Sequence, residues 1–84
     1  MNEIKIGTTV QLLYWKDNEI HDFIITDIFF EAYVSGYKTI VKAKYYSEKS
    51  DCWFTNTYFV NDFFKAMADA TMIIESEAED GSSN

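Results

Sequence analysis

The side chains with the most reactive chemistry in this sequence are one histidine, His21, and one cysteine, Cys52. A cysteine and a histidine are the minimum pair for nucleophilic catalysis, in which the imidazole activates the thiol. No glycine loop that could form an oxyanion hole accompanies them, and the segment DCWF is typical of the start of a strand. A lone free cysteine usually packs as a small apolar side chain. The sequence therefore predicts a buried Cys52 and no catalytic pair.

A metal site is the second chemistry to consider for His21. Its candidate partners are Asp22, Asp27 and Cys52, but none of them stands at a ligand spacing such as CxxC or HxxxH. The calcium-loop pattern D-x-[DN]-x-[DN]-G does not occur, and three dispersed glycines cannot form a phosphate-binding loop. We therefore expect no metal, no cofactor and no enzymatic activity, and interpret His21 as a solvent-edge or hydrogen-bonded histidine beside a turn.

Aromatic side chains are the unusual feature of the composition, with seven Phe, six Tyr and two Trp in 84 residues. Most of these rings must form the core, because each buries about 150–250 Å² and a small domain has few other large groups. An alternating strand can bury only one set of its side chains, so some rings stay exposed. Exposed aromatic residues are enriched at interface hot spots. We predict that Tyr46, one of the neighbours Trp53 and Phe54, and Tyr58 are exposed, and that these four rings form a partner-binding surface.

The net charge of −7 is distributed unevenly. Residues 66–84 carry five acidic residues and no basic one, whereas residues 1–65 carry nine acids and seven lysines. This pattern disfavours direct binding of nucleic acid, because neutralisation of phosphates by Lys and Arg supplies most of that affinity. It favours a partner with a basic surface. We therefore add the acids clustered around the first turn, Asp17, Glu19 and Asp22, to the predicted partner-binding residues.

The elements that must position these groups can be predicted from residue type and periodicity. β-branched and aromatic runs separated by polar turns predict strands over residues 8–16, 20–30, 38–46 and 52–55. Apolar residues on both faces of the second strand indicate cover on both sides or a bend. Helical spacing from Val60 to Ile74 predicts one helix around residues 57–70, and leaves 71–74 open between helix and strand. From residue 76 to 84 we predict a disordered acidic tail.

These elements predict one globular domain over residues 1–75, followed by the tail at 76–84. The predicted fold class is mainly β (α+β): a small antiparallel SH3-like barrel or curled sheet of three to five strands with one helix packed across it. The opening IKIGTTVQLLYW resembles the entry strand of small SH3-like barrels, in which a glycine precedes a strand of the form V-x-L. That resemblance covers residues 4–64 and implies a fold but no activity, since small barrels host many functions.

In general character the chain resembles the small acidic proteins by which phages block host enzymes or defence systems, including anti-CRISPR and anti-restriction proteins. We therefore expect a non-enzymatic protein-binding module that inhibits or modulates a larger protein or complex, with nucleic-acid-processing machinery among the candidates. Two alternatives stay open. One is a structural or assembly subunit that homo-oligomerises, for example as a homodimer. The other is a weak binder of single-stranded nucleic acid that uses Lys38, Lys42 and Lys44 beside Tyr46.

The expected compartment is the cytoplasm, or the host cytoplasm for a phage protein. A lone cysteine cannot form an intrachain disulfide, which agrees with a reducing environment. The first nine residues do not resemble a signal peptide, and no apolar run approaches the roughly 18 residues of a membrane span, so we expect no membrane association.

Overall fold

The computed structural model describes residues 4–82, with side chains described for residues 4–78. Four strands and one helix follow one another along the chain: β1 (Thr9–Tyr14), β2 (Glu19–Tyr33), β3 (Gly36–Ser47), β4 (Cys52–Phe59) and α1 (Val60–Ser82). All neighbouring strands are antiparallel, and they lie in the sheet in chain order. The predicted α+β class is confirmed, as an open curled sheet with one helix rather than a closed barrel.

Two of the three hairpin loops are built alike. Each contains four residues, and the last of the four has a left-handed backbone, with Asn18 at φ 57° before β2 and Asp51 at φ 53° before β4. Asn and Asp adopt this conformation more readily than other residues with a side chain. The shorter loop between β2 and β3 instead enters β3 through Gly36 at φ 119°, where glycine has no steric cost. The polar clusters in the sequence therefore form the expected turns.

A β-bulge divides β2 into two halves. The register with β3 shifts between Ile25 and Asp27, and the Thr26 hydroxyl between them donates a hydrogen bond to the Lys42 carbonyl at 3.3 Å. One extra residue reverses the alternation of side chains, so Ile25 and Ile28 lie on the same face of the sheet. The bulge explains why apolar residues occupy both odd and even positions in this strand, and supports a bend rather than cover on both sides.

The core lies between α1 and one face of the sheet, which we call the covered face. The strands contribute fully buried side chains at Leu12, Phe23, Ile25, Val41 and Ala43. From α1, Phe63 enters this cluster and is itself fully buried, with its ring 5.8 Å from that of Tyr58. Alternate side chains of the first and third strands therefore face this core, as strand geometry requires.

The helix is longer than the sequence predicted. It begins at Val60 and continues to Ser82, so residues 71–74 are helical and the helix extends into residues 76–82 of the predicted tail. The physical reason is that Ala and Glu, which are frequent in this segment, favour helices. Side chains 71–78 are all exposed, so this half of α1 contributes no buried side chain to the core. Residues 83 and 84 of the predicted tail lie outside the described residues.

Candidate interaction surface

The face of the sheet opposite the core is called the open face here. Residues directly opposite one another in neighbouring strands share a face, so the strand register identifies its members. Those in β2 are Asp22, Ile24, Asp27, Phe29, Glu31 and Tyr33. Those in β3 and β4 are Lys38, Ile40, Lys42, Lys44, Tyr46, Trp53, Thr55, Thr57 and Phe59. Of the rings in this set, Trp53 keeps 51% and Phe59 keeps 43% of its surface exposed, which is unusual for side chains of this size.

Lysines and rings alternate across the open face. The ammonium-to-centroid distances are 4.6 Å for Lys44 over Trp53, 5.7 Å for Lys38 over Phe59 and 5.9 Å for Lys42 over Phe29. Each contact of this kind at an exposed site contributes about 0.5–1 kcal/mol. The rings also meet edge to face, at 5.5 Å for Tyr46 with Trp53 and 5.7 Å for Tyr33 with Phe59. These contacts hold the rings in defined orientations while leaving part of each ring accessible.

Charges on the open face are separated by strand. The acids Asp22, Asp27 and Glu31 lie along β2, while the lysines lie along β3. The register places Asp27 opposite Lys42 and Glu31 opposite Lys38. Strand β4 carries no charged residue at all. The face therefore passes from acidic through basic to neutral and aromatic across three neighbouring strands.

A groove of about 670 Å³ opens at one end of this surface, toward α1. Its apolar lining comes from Leu13, Trp15, Tyr33, Ile40, Tyr58 and Phe59. Its charged lining comes from Glu31, Asp62, Lys65 and Asp69. Lys65 lies 3.1 Å from Asp69, and three of the four charged side chains of the lining are acidic. A groove with this lining suits an apolar group that carries positive charge.

The β1–β2 hairpin gathers a separate polar cluster from Asp17, Glu19 and His21. Asp17 Oδ2 lies 2.6 Å from His21 Nε2, and Asp17 Oδ1 accepts a hydrogen bond of 3.0 Å from the Glu19 amide. Partial burial acts to raise the pKa of Asp17, but these hydrogen bonds outweigh it and hold that pKa below its ordinary value. The His21 ring stacks on Tyr45 at 4.1 Å. The interpretation of His21 as a hydrogen-bonded histidine beside a turn agrees with this geometry.

The same three residues are the group, among side chains 4–78, that could hold a metal ion. One ligand atom from each lies within 4.8 Å of the other two. Asp17 and His21 are already hydrogen-bonded to each other, and Asp17 and Glu19 are exposed to solvent. The arrangement is therefore explained equally well by hydrogen bonds that stabilise the β1–β2 hairpin and by a cation site.

The predicted partner-binding residues do not form one site. Tyr46 and Trp53 lie side by side on the open face, where the Tyr46 hydroxyl also donates a hydrogen bond to Asp51. Phe54 is exposed as well, but it points to the opposite face and packs 5.7 Å from Tyr45. The sequence predicted that only one of Trp53 and Phe54 is exposed, whereas both are. The reason is that β4 is an edge strand that α1 only partly covers.

Two further predictions of exposure or burial are wrong. Tyr58 is buried in the core beside Phe63 rather than exposed, because β4 extends past it and directs its ring under α1. Burial raises the pKa of the Tyr58 hydroxyl, although a hydrogen bond from Asn56 acts in the opposite direction. Cys52 is exposed rather than buried, because it begins the edge strand at the end of the sheet. Of the three predicted acids, Asp22 lies on the open face, and Asp17 and Glu19 lie in the hairpin cluster.

Sequence reasoning missed several members of the open face. Phe29 was not recognised because the bulge in β2 reverses the alternation on which the assignment depended, and Tyr33 was missed because the predicted strand ended at residue 30. Phe59 was missed because the sequence prediction ended β4 at residue 55 and started the helix near 57. The usable signal was the run TNTYF, which continues the β-branched and aromatic composition of the strand.

Comparison with protein-family models, with curated proteins and with solved structures found no match. Within residues 4–82, α1 is too polar and charged to cross a membrane.

Proposed function

We propose that this protein is a non-enzymatic binding module that inhibits or modulates a larger protein by docking on it through the open face. Docking means that the rings of the open face leave water and pack against the partner, as aromatic side chains do at the centres of interfaces. The observation that carries the proposal is the exposure of Trp53 and Phe59 on the open face of an ordered sheet. These rings are held by lysine contacts and need no conformational change before they bind.

The charge distribution supports a partner surface that is basic and partly apolar. The chain has a net charge of −7, and three of the four charged side chains in the lining of the groove are acidic. Basic surfaces with apolar patches are characteristic of proteins that handle nucleic acid. The proposed partner class is therefore a nucleic-acid-processing enzyme or defence complex, encountered in the cytoplasm. Blocking such a surface would make the protein an inhibitor of the kind that phages encode.

A pair of neighbouring aromatic residues allows a matched test. Trp53 and Phe54 are adjacent in β4 and both exposed, but only Trp53 lies on the open face. Tagged wild-type protein, Trp53→Ser and Phe54→Ser are each used to capture proteins from a lysate of the source cells or, for a phage protein, of its host. The proposal predicts a partner that wild type and Phe54→Ser retain and Trp53→Ser releases. Capture should weaken as salt is raised from 0.1 to 0.5 M, because opposite charges contribute to it.

The purified partner then decides between inhibition and simple association. Adding wild-type protein should reduce the activity of the partner on its nucleic-acid substrate, and Trp53→Ser should reduce it far less. A partner retained equally by all three proteins would refute the role of the open face. Capture of no protein at all by a correctly folded wild type would refute the proposed function.

Single-stranded nucleic acid is a second candidate ligand, supported by the lysines that lie over rings on the open face. Rings can stack on bases while lysines neutralise phosphates. Against this, Asp27 and Glu31 lie directly opposite two of these lysines and would repel phosphates. In a Trp15→Phe background, which leaves Trp53 as the reporter, titration with an oligonucleotide should give no quenching at 0.15 M salt. Quenching that Lys44→Gln abolishes would make nucleic acid the ligand instead.

A further inference from the structure

Strand β4 is an edge of the sheet that lacks the usual protection. Its eight residues contain no charged residue, no proline and no glycine, and all eight pair with β3 in an uninterrupted register without a bulge. Natural proteins normally blunt an edge with lysine, proline or a bulge, or cover it with another element, because its free N–H and C=O groups recruit other strands. The opposite edge, β1, is the strand against which α1 mainly packs. The free edge of β4 is therefore suited to pairing with another strand.

The residue types in β4 read the same in both directions. From Trp53 to Phe59 the order is aromatic, aromatic, Thr, Asn, Thr, aromatic, aromatic, with Asn56 at the centre. In an antiparallel pair the residue numbers of opposite partners have a constant sum. If Asn56 faces its own counterpart, the opposite pairs are Trp53 with Phe59, Phe54 with Tyr58, and Thr55 with Thr57. Every pair then joins residues of one class.

Other registers lose this match. Sliding one strand by two residues, which keeps the same faces together, places Trp53 or Phe59 opposite a threonine instead of a ring. Aromatic pairs and threonine pairs are among the favourable cross-strand neighbours in antiparallel sheets. Only the register centred on Asn56 places residues of the same class opposite one another at all seven positions from Trp53 to Phe59. A self-complementary strand of this kind fits a two-fold axis, which is the commonest symmetry of protein dimers.

We propose that β4 of one molecule pairs antiparallel with β4 of a second copy of this chain, around a two-fold axis at Asn56. The two sheets then form one continuous eight-stranded sheet, and the two open faces become one surface. Net charge favours this edge over other sites of self-association, because each copy carries −7 and the neutral strand is where two like-charged molecules can approach. This inference goes beyond the proposed partner binding, and either proposal can be correct without the other.

Charge placed on the two threonines tests the register directly. Thr55 and Thr57 are exposed on the open face, with Lys44 and Lys42 of β3 beside them. In T55E/T57E the new acids lie beside these lysines within each molecule, which keeps the monomer fold favourable, but they oppose one another across the axis. In T55E/T57K each new acid opposes a new base of the second copy. The two variants therefore differ only in the sign of one charge at position 57.

Light scattering and sedimentation over about 10–300 µM should give wild-type protein at twice the chain mass of 9.8 kDa. T55E/T57E should be monomeric, and T55E/T57K should again be dimeric at low salt. Circular dichroism of each variant checks that the fold is kept. A monomeric wild type at 300 µM would overturn the proposal, and so would a folded T55E/T57E that remains dimeric.

Disulfide trapping provides a second measurement that does not depend on charge. In a C52S background, N56C places two thiols directly opposite each other across the axis, at a Cα separation of about 4.5–5.5 Å that a disulfide spans. T55C, one residue away, offsets its thiols by two residues along the strand, which moves the Cα atoms beyond about 7 Å. Mild oxidation should give covalent dimers of C52S/N56C and few of C52S/T55C. Equal trapping of both variants, or trapping of T55C alone, would overturn the register.

Discussion

Substitution of Phe63 by alanine should remove much of the stability of the domain. Phe63 is fully buried, and it is the large side chain by which α1 enters the core of the sheet. Truncating a buried phenylalanine to alanine costs about 3–5 kcal/mol, because the apolar contacts are lost and a cavity remains. A domain of 84 residues has a total stability of about 4–13 kcal/mol at the usual 0.05–0.15 kcal/mol per residue. The single change therefore removes a quarter or more of the free energy of unfolding.

The next residue supplies the control. Phe64 is of the same type on the same helix, but 36% of its surface stays exposed and its ring meets that of Phe63 at 6.2 Å. Both substitutions gain the same helix propensity from alanine, so that contribution cancels in the comparison. For Phe64→Ala we expect a loss of about 1–2 kcal/mol, from one ring pair and partial burial.

Urea unfolding followed by circular dichroism at 222 nm measures the difference, with all proteins at one concentration. A difference of about 2–3 kcal/mol between the variants corresponds to a midpoint about 1–3 M lower for Phe63→Ala than for Phe64→Ala, at the m-values usual for small domains. Phe63→Ala could unfold the protein entirely, which would also agree with the reasoning. Equal losses, or a larger loss for Phe64→Ala, would show that α1 docks through a different face.

Three further outcomes follow from the structure. Burial raises the pKa of Tyr58 above 10.0, so its protonated hydroxyl contributes fully to stability below pH 10. This contribution is lost as the pH rises through the pKa of the folded state. Between pH 8 and pH 11, the urea midpoint of Tyr58→Phe should therefore fall less than that of wild type. The pKa of Asp17 is held below its ordinary value of 3.8, so the ionised carboxylate contributes to stability above pH 3.8. This contribution is lost as the pH falls through the lower pKa of the folded state. Asp17→Asn should therefore lower the melting temperature at pH 7 and make it less sensitive to acid between pH 5 and pH 2. Deletion of residues 76–84 should change the melting temperature by less than about 2 °C while reducing ellipticity at 222 nm, because side chains 76–78 are exposed and lie outside the core. A drop of about 5 °C or more would show that the end of α1 contributes to the fold.

The core was predictable from the sequence because it depends on local alternation. The pattern from Val41 to Tyr45 repeats every second residue, and these side chains lie buried as the pattern indicates. The end of β4 was not predictable in this way. Asn56 and Thr57 are typical helix caps by residue type, and only the long-range pairing of this segment with β3 makes them part of a strand. Local residue preference and distant pairing conflict here, and the pairing decides the outcome.

The open face was predictable only in part for a related reason. The lysines at 42 and 44 and the ring of Tyr46 were recognised together because they are close in sequence. Their aromatic neighbours Phe29 and Phe59 come from strands on either side of β3, and their position depends on the bulge and on the length of β4. A single inserted residue in β2 determines which of its rings face solvent, so no count of aromatic residues could have located the surface.

The course of α1 explains why one face of the sheet is left uncovered. The helix starts at the end of β4 and packs mainly against β1, so it covers the centre of one face and the strand farthest from its starting point. Both edge strands lack charged residues, but within residues 4–82 α1 packs much more extensively against β1 than against β4. The rings of the open face and the free edge therefore meet at Trp53 and Phe59. Pairing of two β4 edges would bring four of these rings together, so self-association would enlarge the partner-binding surface rather than hide it.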